Sequence, residues 1–126
     1  MKAFICAMVI LALVITGASL YAYNLGRTVD RLEAAAAVMA DYAVVEDWPG
    51  CRSALSDFFE DWNKVYPHLE FFIHHNDIDR INQLLYEIEG YTTVENRDDF
   101  LVKCGVIRML IHQIPDNERF TLENIL

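Results

Sequence analysis

Hydrophobic and polar positions divide the chain into two regimes. From Ala3 to Tyr23 there are 21 residues without a charge, bounded by Lys2 and Arg27. A helix of that length rises about 30 Å, the thickness of a bilayer's hydrocarbon core, so residues 3–23 are expected to span a membrane. Tyr21 and Tyr23 fall where an interfacial aromatic belt would lie. The competing reading is a cleaved secretory signal, with Thr16, Gly17, Ala18 and Ser19 as its cleavage region, but Leu20 to Tyr23 prolong the apolar run past that point. The residues before Cys6 do not form a lipobox.

After Tyr23 the apolar residues become periodic. Leu25, Val29, Leu32, Ala36, Met39 and Ala43 alternate steps of four and three, and the segment EAAAAVMA favours helix, so the first helix is expected to continue to about Val45. Asp47 before Trp48 and Pro49 is a cap-then-proline start signal. The stripe of Cys51, Leu55, Phe58, Trp62 and Val65 follows, widened by Phe59 and Tyr66 and interrupted at Pro67. A third helix is expected from near Pro67 to Glu89, stopped by Gly90. Thr92 or Thr93 would then cap a fourth, whose stripe is Phe100, Cys104, Ile107, Ile111 and Ile114, ending at Pro115. The tail from Asp116 carries no assignable pattern.

No segment alternates as a strand would, and short connections require the helices to fold back on one another. The fold class is therefore all-α: an N-terminal transmembrane helix, residues 1–25, continuing into a small antiparallel helical bundle, residues 26–126. Phe58, Phe59, Trp62, Phe71, Phe72 and Phe100 supply an aromatic core large enough to close a domain of about 100 residues.

Charge narrows the partners. All 19 Asp and Glu lie beyond residue 23, against nine Lys and Arg, and such a surface would be repelled by nucleic-acid phosphates and by anionic lipid headgroups. Lys2 with the amino terminus on one side of the apolar run nearly balances Arg27 and Arg31 on the other. A short basic amino terminus before an apolar segment nevertheless suggests that the bundle is extracytoplasmic.

Candidate chemistry concentrates in FFIHHNDIDRI, Phe71 to Ile81. On a helix, His74 joins Ile78, Ile81, Leu85 and Ile88 on one stripe, and His75, Asp79, Asn82 and Tyr86 form a neighbouring polar arc. His75 and Asp79, at i and i+4, are spaced to share a hydrogen bond or supply two metal ligands. Two ligands do not make a site, and His112 has no reason in the pattern to be the third. Asp77 falls on the apolar side, where a carboxylate must either cap a restart at Ile78 or find a donor. Cys51 and Cys104 stand on apolar stripes without metal or redox spacing and are expected to be free and buried. Ser53 and Ser56 lack a glycine elbow, and no cofactor or phosphate-binding fingerprint is present. An enzyme is not expected.

The segments EDW at Glu46 to Trp48, Trp62, the pattern H-x-x-I-D at His75 to Asp79 with Ile81 after it, and Ile114-Pro115 followed by Glu118 and TLENIL resemble the bacterial family named domain of unknown function 4363. The resemblance covers nearly the whole chain. It implies a small membrane-attached helical protein of spore-forming and related Gram-positive bacteria, and it brings no catalytic residues or cofactor. It marks His75, Ile78, Asp79 and the LENIL tail, for folding or for contact; Cys51, Cys104 and His74 lie outside the pattern.

The expected function is a protein-interaction module held by one helix at the outer face of the cytoplasmic membrane, with an unknown protein partner. The alternatives are a ligand- or ion-sensing domain built on the His75 and Asp79 arc and, third, a metal-dependent enzyme.

Overall fold

The computed structural model of the chain describes residues 1–69 and 75–115. These residues form four helices: α1 (Lys2–Val44), α2 (Trp48–Leu69), α3 (His75–Val94) and α4 (Arg97–His112), with no strand among the described residues. Helix α1 packs on α2 and α4, and α3 packs on α4 and less extensively on α2. The backbones of the diagonal pairs stay apart among the described residues, and α2 meets α4 only through core side chains such as the edge-on rings of Trp48 and Phe100, 6.1 Å apart, so the four helices form an up-down bundle in chain order around one core.

The expected stripe of α1, Leu25 to Ala43, is buried at all six positions. Every residue from Met1 to Leu20 is exposed instead. The helix crosses the expected boundary between residues 25 and 26 without a break, and its packing begins about one turn earlier, at the half-buried Tyr21. One helix, α1, is thus long and apolar enough to cross a membrane while its second half is a wall of the bundle.

The alanines of α1 allow its neighbours to approach closely. The thiol of Cys104 donates to the Ala36 carbonyl at 3.3 Å, and that of Cys51 lies 3.8 Å from the Met39 carbonyl, a longer contact of the kind sulfur makes. These contacts set the register of α4 and α2 on α1. Descending α2 from Cys51 to Leu69 covers as many residues as descending α1 from Met39 to Tyr21, so the base of α2 lies level with the end of the apolar run.

Two connections at the opposite end share one construction. At Val45-Glu46-Asp47, Asp47 N–H bonds the Tyr42 carbonyl and Glu46 N–H that of Ala43, while Asp47 Oδ1 accepts from Gly50 N–H at 3.1 Å. At Val94-Glu95-Asn96, Asn96 N–H bonds the Tyr91 carbonyl and Asn96 Oδ1 accepts from Asp99 N–H at 3.2 Å. Each turn ends one helix with a left-handed residue, Glu46 at φ 57° and Glu95 at φ 56°, and caps the next with an Asx side chain.

Three expected boundaries shift. Helix α2 runs through Pro67, which removes only one bond near the helix end, because burial of Leu69 beyond it offsets the loss. Pro67 lies inside α2, so the third helix does not begin there; its described part runs from His75 and continues past Gly90, which keeps a helical φ, because Thr92 is buried against the core. The α4 cap is Asn96; Thr92 and Thr93 donate back to the Glu89 carbonyl at 2.6 and 3.2 Å within α3. Of the expected aromatic core, Phe58, Trp62 and Phe100 are fully buried and Phe59 is half-buried. Phe71, Phe72, His74 and the tail 116–126 lie outside the described residues.

Candidate interaction groove

The polar arc of α3 divides into two parts with different surroundings. Its upper part engages α2: Trp62 Nε1 donates to Asn82 Oδ1 at 2.7 Å, and Tyr86 packs against Phe59 with ring centroids 6.0 Å apart. Its lower part faces solvent. His75 opens α3 and is exposed, Asp79 is exposed one turn later, and no hydrogen bond or ion pair joins them. Their spacing permits a contact that the side chains do not make. Ile78, between them in sequence, is buried.

Asp77 is half-buried rather than sunk in the core. It lies in the first turn of α3, where a carboxylate meets the positive end of the helix dipole and needs no partner across the bundle. His112 pairs with Glu33 of α1, Nδ1 to Oε1 2.8 Å, and does not join His75. No group of three potential metal ligands occurs among the described residues. Lys103 and Glu87, 3.1 Å apart and both largely covered, tie α4 to α3.

The buried thiols take no part in a polar site. Burial pushes the pKa of both Cys51 and Cys104 up to about 11, against smaller opposing effects of Arg52 and Arg108 respectively. Both remain protonated thiols at neutral pH, in the form that is a poor nucleophile.

The loosest helix pair, α2 with α3, leaves a groove of about 430 Å³. Leu55 and the Phe59–Tyr86 pair form its apolar part. Arg52, from α2, donates to the Thr92 carbonyl at 3.4 Å, meeting the negative end of α3. Glu89 projects from α3 at the same groove, and its carboxylate makes no ion pair among the described residues. Asn63, near Pro67 on α2, supplies an amide at the other end.

A family model described as "Domain of unknown function (DUF4363)" matches residues 20–125. The chain belongs to this family. No curated protein and no solved structure matches it. The DUF4363 match begins one residue before Tyr21, where α1 first packs against the bundle, so the family domain coincides with the packed helices and leaves most of the apolar run outside it.

Sequence reasoning passed over Arg52, Asn63 and Glu89. Their signal was positional: Arg52, Ser56, Phe59 and Asn63 follow helical spacing on one face beside the α2 stripe, and Tyr86, Glu89 and Thr93 do so on α3. Only the pairing of those two faces makes a groove.

Proposed function

We propose that this DUF4363 protein is a single-pass membrane protein that holds a helical interaction module at the outer face of the cytoplasmic membrane, with the α2–α3 groove as its contact surface for a protein partner. The observation that carries this reading is the continuity of α1. Its residues 3–20 are exposed and uncharged, and the same helix then forms part of the bundle core, with no linker between them. Such a joint holds the groove at a fixed height and orientation relative to the bilayer.

A protein partner suits the groove better than a small metabolite. Tyr86 is 70% exposed beside Phe59, an amphipathic aromatic surface of the kind that anchors protein contacts. Arg52 and Glu89 offer both signs of charge, and Asn63, Ser56 and Thr93 offer hydrogen bonds, which suits a polypeptide. The exposed His75 and Asp79, not bonded to each other, give less support to a sensing site.

Two experiments test the reading. The full chain should remain with membranes through alkaline extraction, and protease added outside spheroplasts should remove the bundle; a soluble product beginning near Ser19 or Leu20 would contradict anchoring. A photo-crosslinking residue at Tyr86 should trap a partner, whereas one at Val102, an exposed apolar position on α4, should not. Loss of the Tyr86 adduct on Arg52→Glu would locate the contact in the groove, and equal adducts at both positions would refute it.

A further inference from the structure

We propose that Arg27 and Arg31 form a binding site for the phosphate of an anionic phospholipid headgroup. The proposal rests on the membrane-anchored reading and adds to it a specific lipid chemistry. The two arginines lie one helical turn apart on α1, immediately beyond the apolar run, and neither makes an ion pair among the described residues. Asn24 and Thr28 share their face, and the four side chains line a shallow depression of about 340 Å³. The face thus presents two cations with an amide and a hydroxyl as further donors, the set that recognises phosphate oxygens.

Depth supports the same ligand. With Tyr23 at the end of the hydrocarbon segment, Arg27 lies about 6 Å and Arg31 about 12 Å farther along the axis. The headgroup region on each side of a bilayer is roughly 5 to 8 Å thick. Arg27 therefore falls within it and Arg31 just outside. Helical side chains lean toward the helix N-terminus, here the membrane side, so the Arg31 guanidinium is carried back toward the headgroups. The Arg27 guanidinium already lies 6.0 Å from the centre of the Tyr23 ring, directed along that path.

Charge selects anionic over zwitterionic lipid. Of the nearest acidic residues of α1, Asp30 is a neighbour of Arg27 three residues on but lies outside the depression and makes no ion pair with it among the described residues, and Glu33 is engaged with His112, so the face keeps a net positive charge. A choline group would place a third cation beside two guanidinium groups, and a glycerol headgroup would not. On a chain whose acidic residues otherwise outnumber its basic ones, this is a local reversal of sign.

The test is lipid retention by the full chain in nanodiscs containing equal phosphatidylcholine and phosphatidylglycerol, read by native mass spectrometry. Wild type should retain phosphatidylglycerol with roughly tenfold preference, and Arg27→Gln with Arg31→Gln should reduce this toward the bulk ratio. Arg97→Glu, which changes the net charge by the same amount at the far end of the bundle, should leave the preference intact. Inorganic phosphate should not displace the lipid; displacement would mean that the site takes free phosphate, and it would overturn the assignment. Retention at the bulk ratio by wild type, or wild-type preference in the Arg27/Arg31 variant, would overturn it while leaving anchoring in place. A chain that fails to enter nanodiscs at all would overturn both readings.

Discussion

Trp62 Nε1 donates to Asn82 Oδ1 at 2.7 Å, joining the centre of α2 to the centre of α3. The indole is fully buried and its N–H has one acceptor, so removing that acceptor strands a donor in an apolar setting. Asn82→Ala is expected to destabilise the full chain in detergent by about 1 to 3 kcal/mol. Asn82→Asp, which keeps an acceptor oxygen, should recover part of the loss. Thermal melting of Trp62→Phe, Asn82→Ala and the double variant should show a combined loss smaller than the sum; additive losses would mean that the bond contributes nothing to stability.

Gly90 and Gly105 stand in helices with helical φ and open space where an added methyl group would sit, whereas Glu46 and Glu95 occupy left-handed turns where glycine is favoured. Gly90→Ala and Gly105→Ala should each stabilise by roughly 0.5 to 1 kcal/mol. Glu95→Gly should be neutral or stabilising, since relief of left-handed strain outweighs the entropy glycine adds to the unfolded chain. Gly50→Ala should destabilise, because its Cβ would meet the Tyr42 ring at 2.6 Å and the Asp47 cap at 2.8 Å. Melting temperatures that rise for Gly50→Ala would contradict this account of the turn.

Cys51 and Cys104 should make stability fall at alkaline pH. Both thiols have pKa values raised by burial from 9.0 to about 11 in the fold. Between those values the unfolded chain releases thiol protons that the folded chain keeps, so the folded state binds more protons and loses stability as pH rises. The contribution is fully present below about pH 9 and is lost toward about pH 11. Cys51→Ala with Cys104→Ala should lower stability at pH 8 through lost packing, yet show a shallower decline from pH 9 to 11 than wild type. Parallel pH profiles for the two proteins would exclude the thiols as the cause.

His75→Ala and Asp79→Ala should each change stability by less than about 0.5 kcal/mol, since both side chains are exposed and do not bond each other. Ile78→Ala, buried between them, should cost roughly 2 to 5 kcal/mol. Chemical denaturation of the three variants provides the comparison, and a large loss at His75 or Asp79 would restore a structural role for that pair.

The residue order by itself determined the apolar run of residues 3–23, the all-α class and which face of each helix turns inward. Leu25 through Ala43 on α1, Cys51 through Trp62 on α2, and Phe100 through Ile114 at and beyond α4 are buried where their four-three spacing placed them. This was legible because helical periodicity is a local property: a stripe appears in the sequence before it has a partner. The Asn96 cap was also present, as an Asx residue with Asp99 three positions on, but the neighbouring threonines satisfied the same local rule. Tertiary structure decided which signal prevailed. Burial of Leu69 carries α2 through Pro67, and burial of Thr92 carries α3 through Gly90, because contacts with other helices outweigh local terminators of about 1 to 3 kcal/mol. Tertiary structure alone also determined the pairings of Trp62 with Asn82, His112 with Glu33 and Lys103 with Glu87. Those depend on the rotation and register of one helix against another, which the contacts of Cys51 and Cys104 with α1 display and which no single helix's spacing encodes.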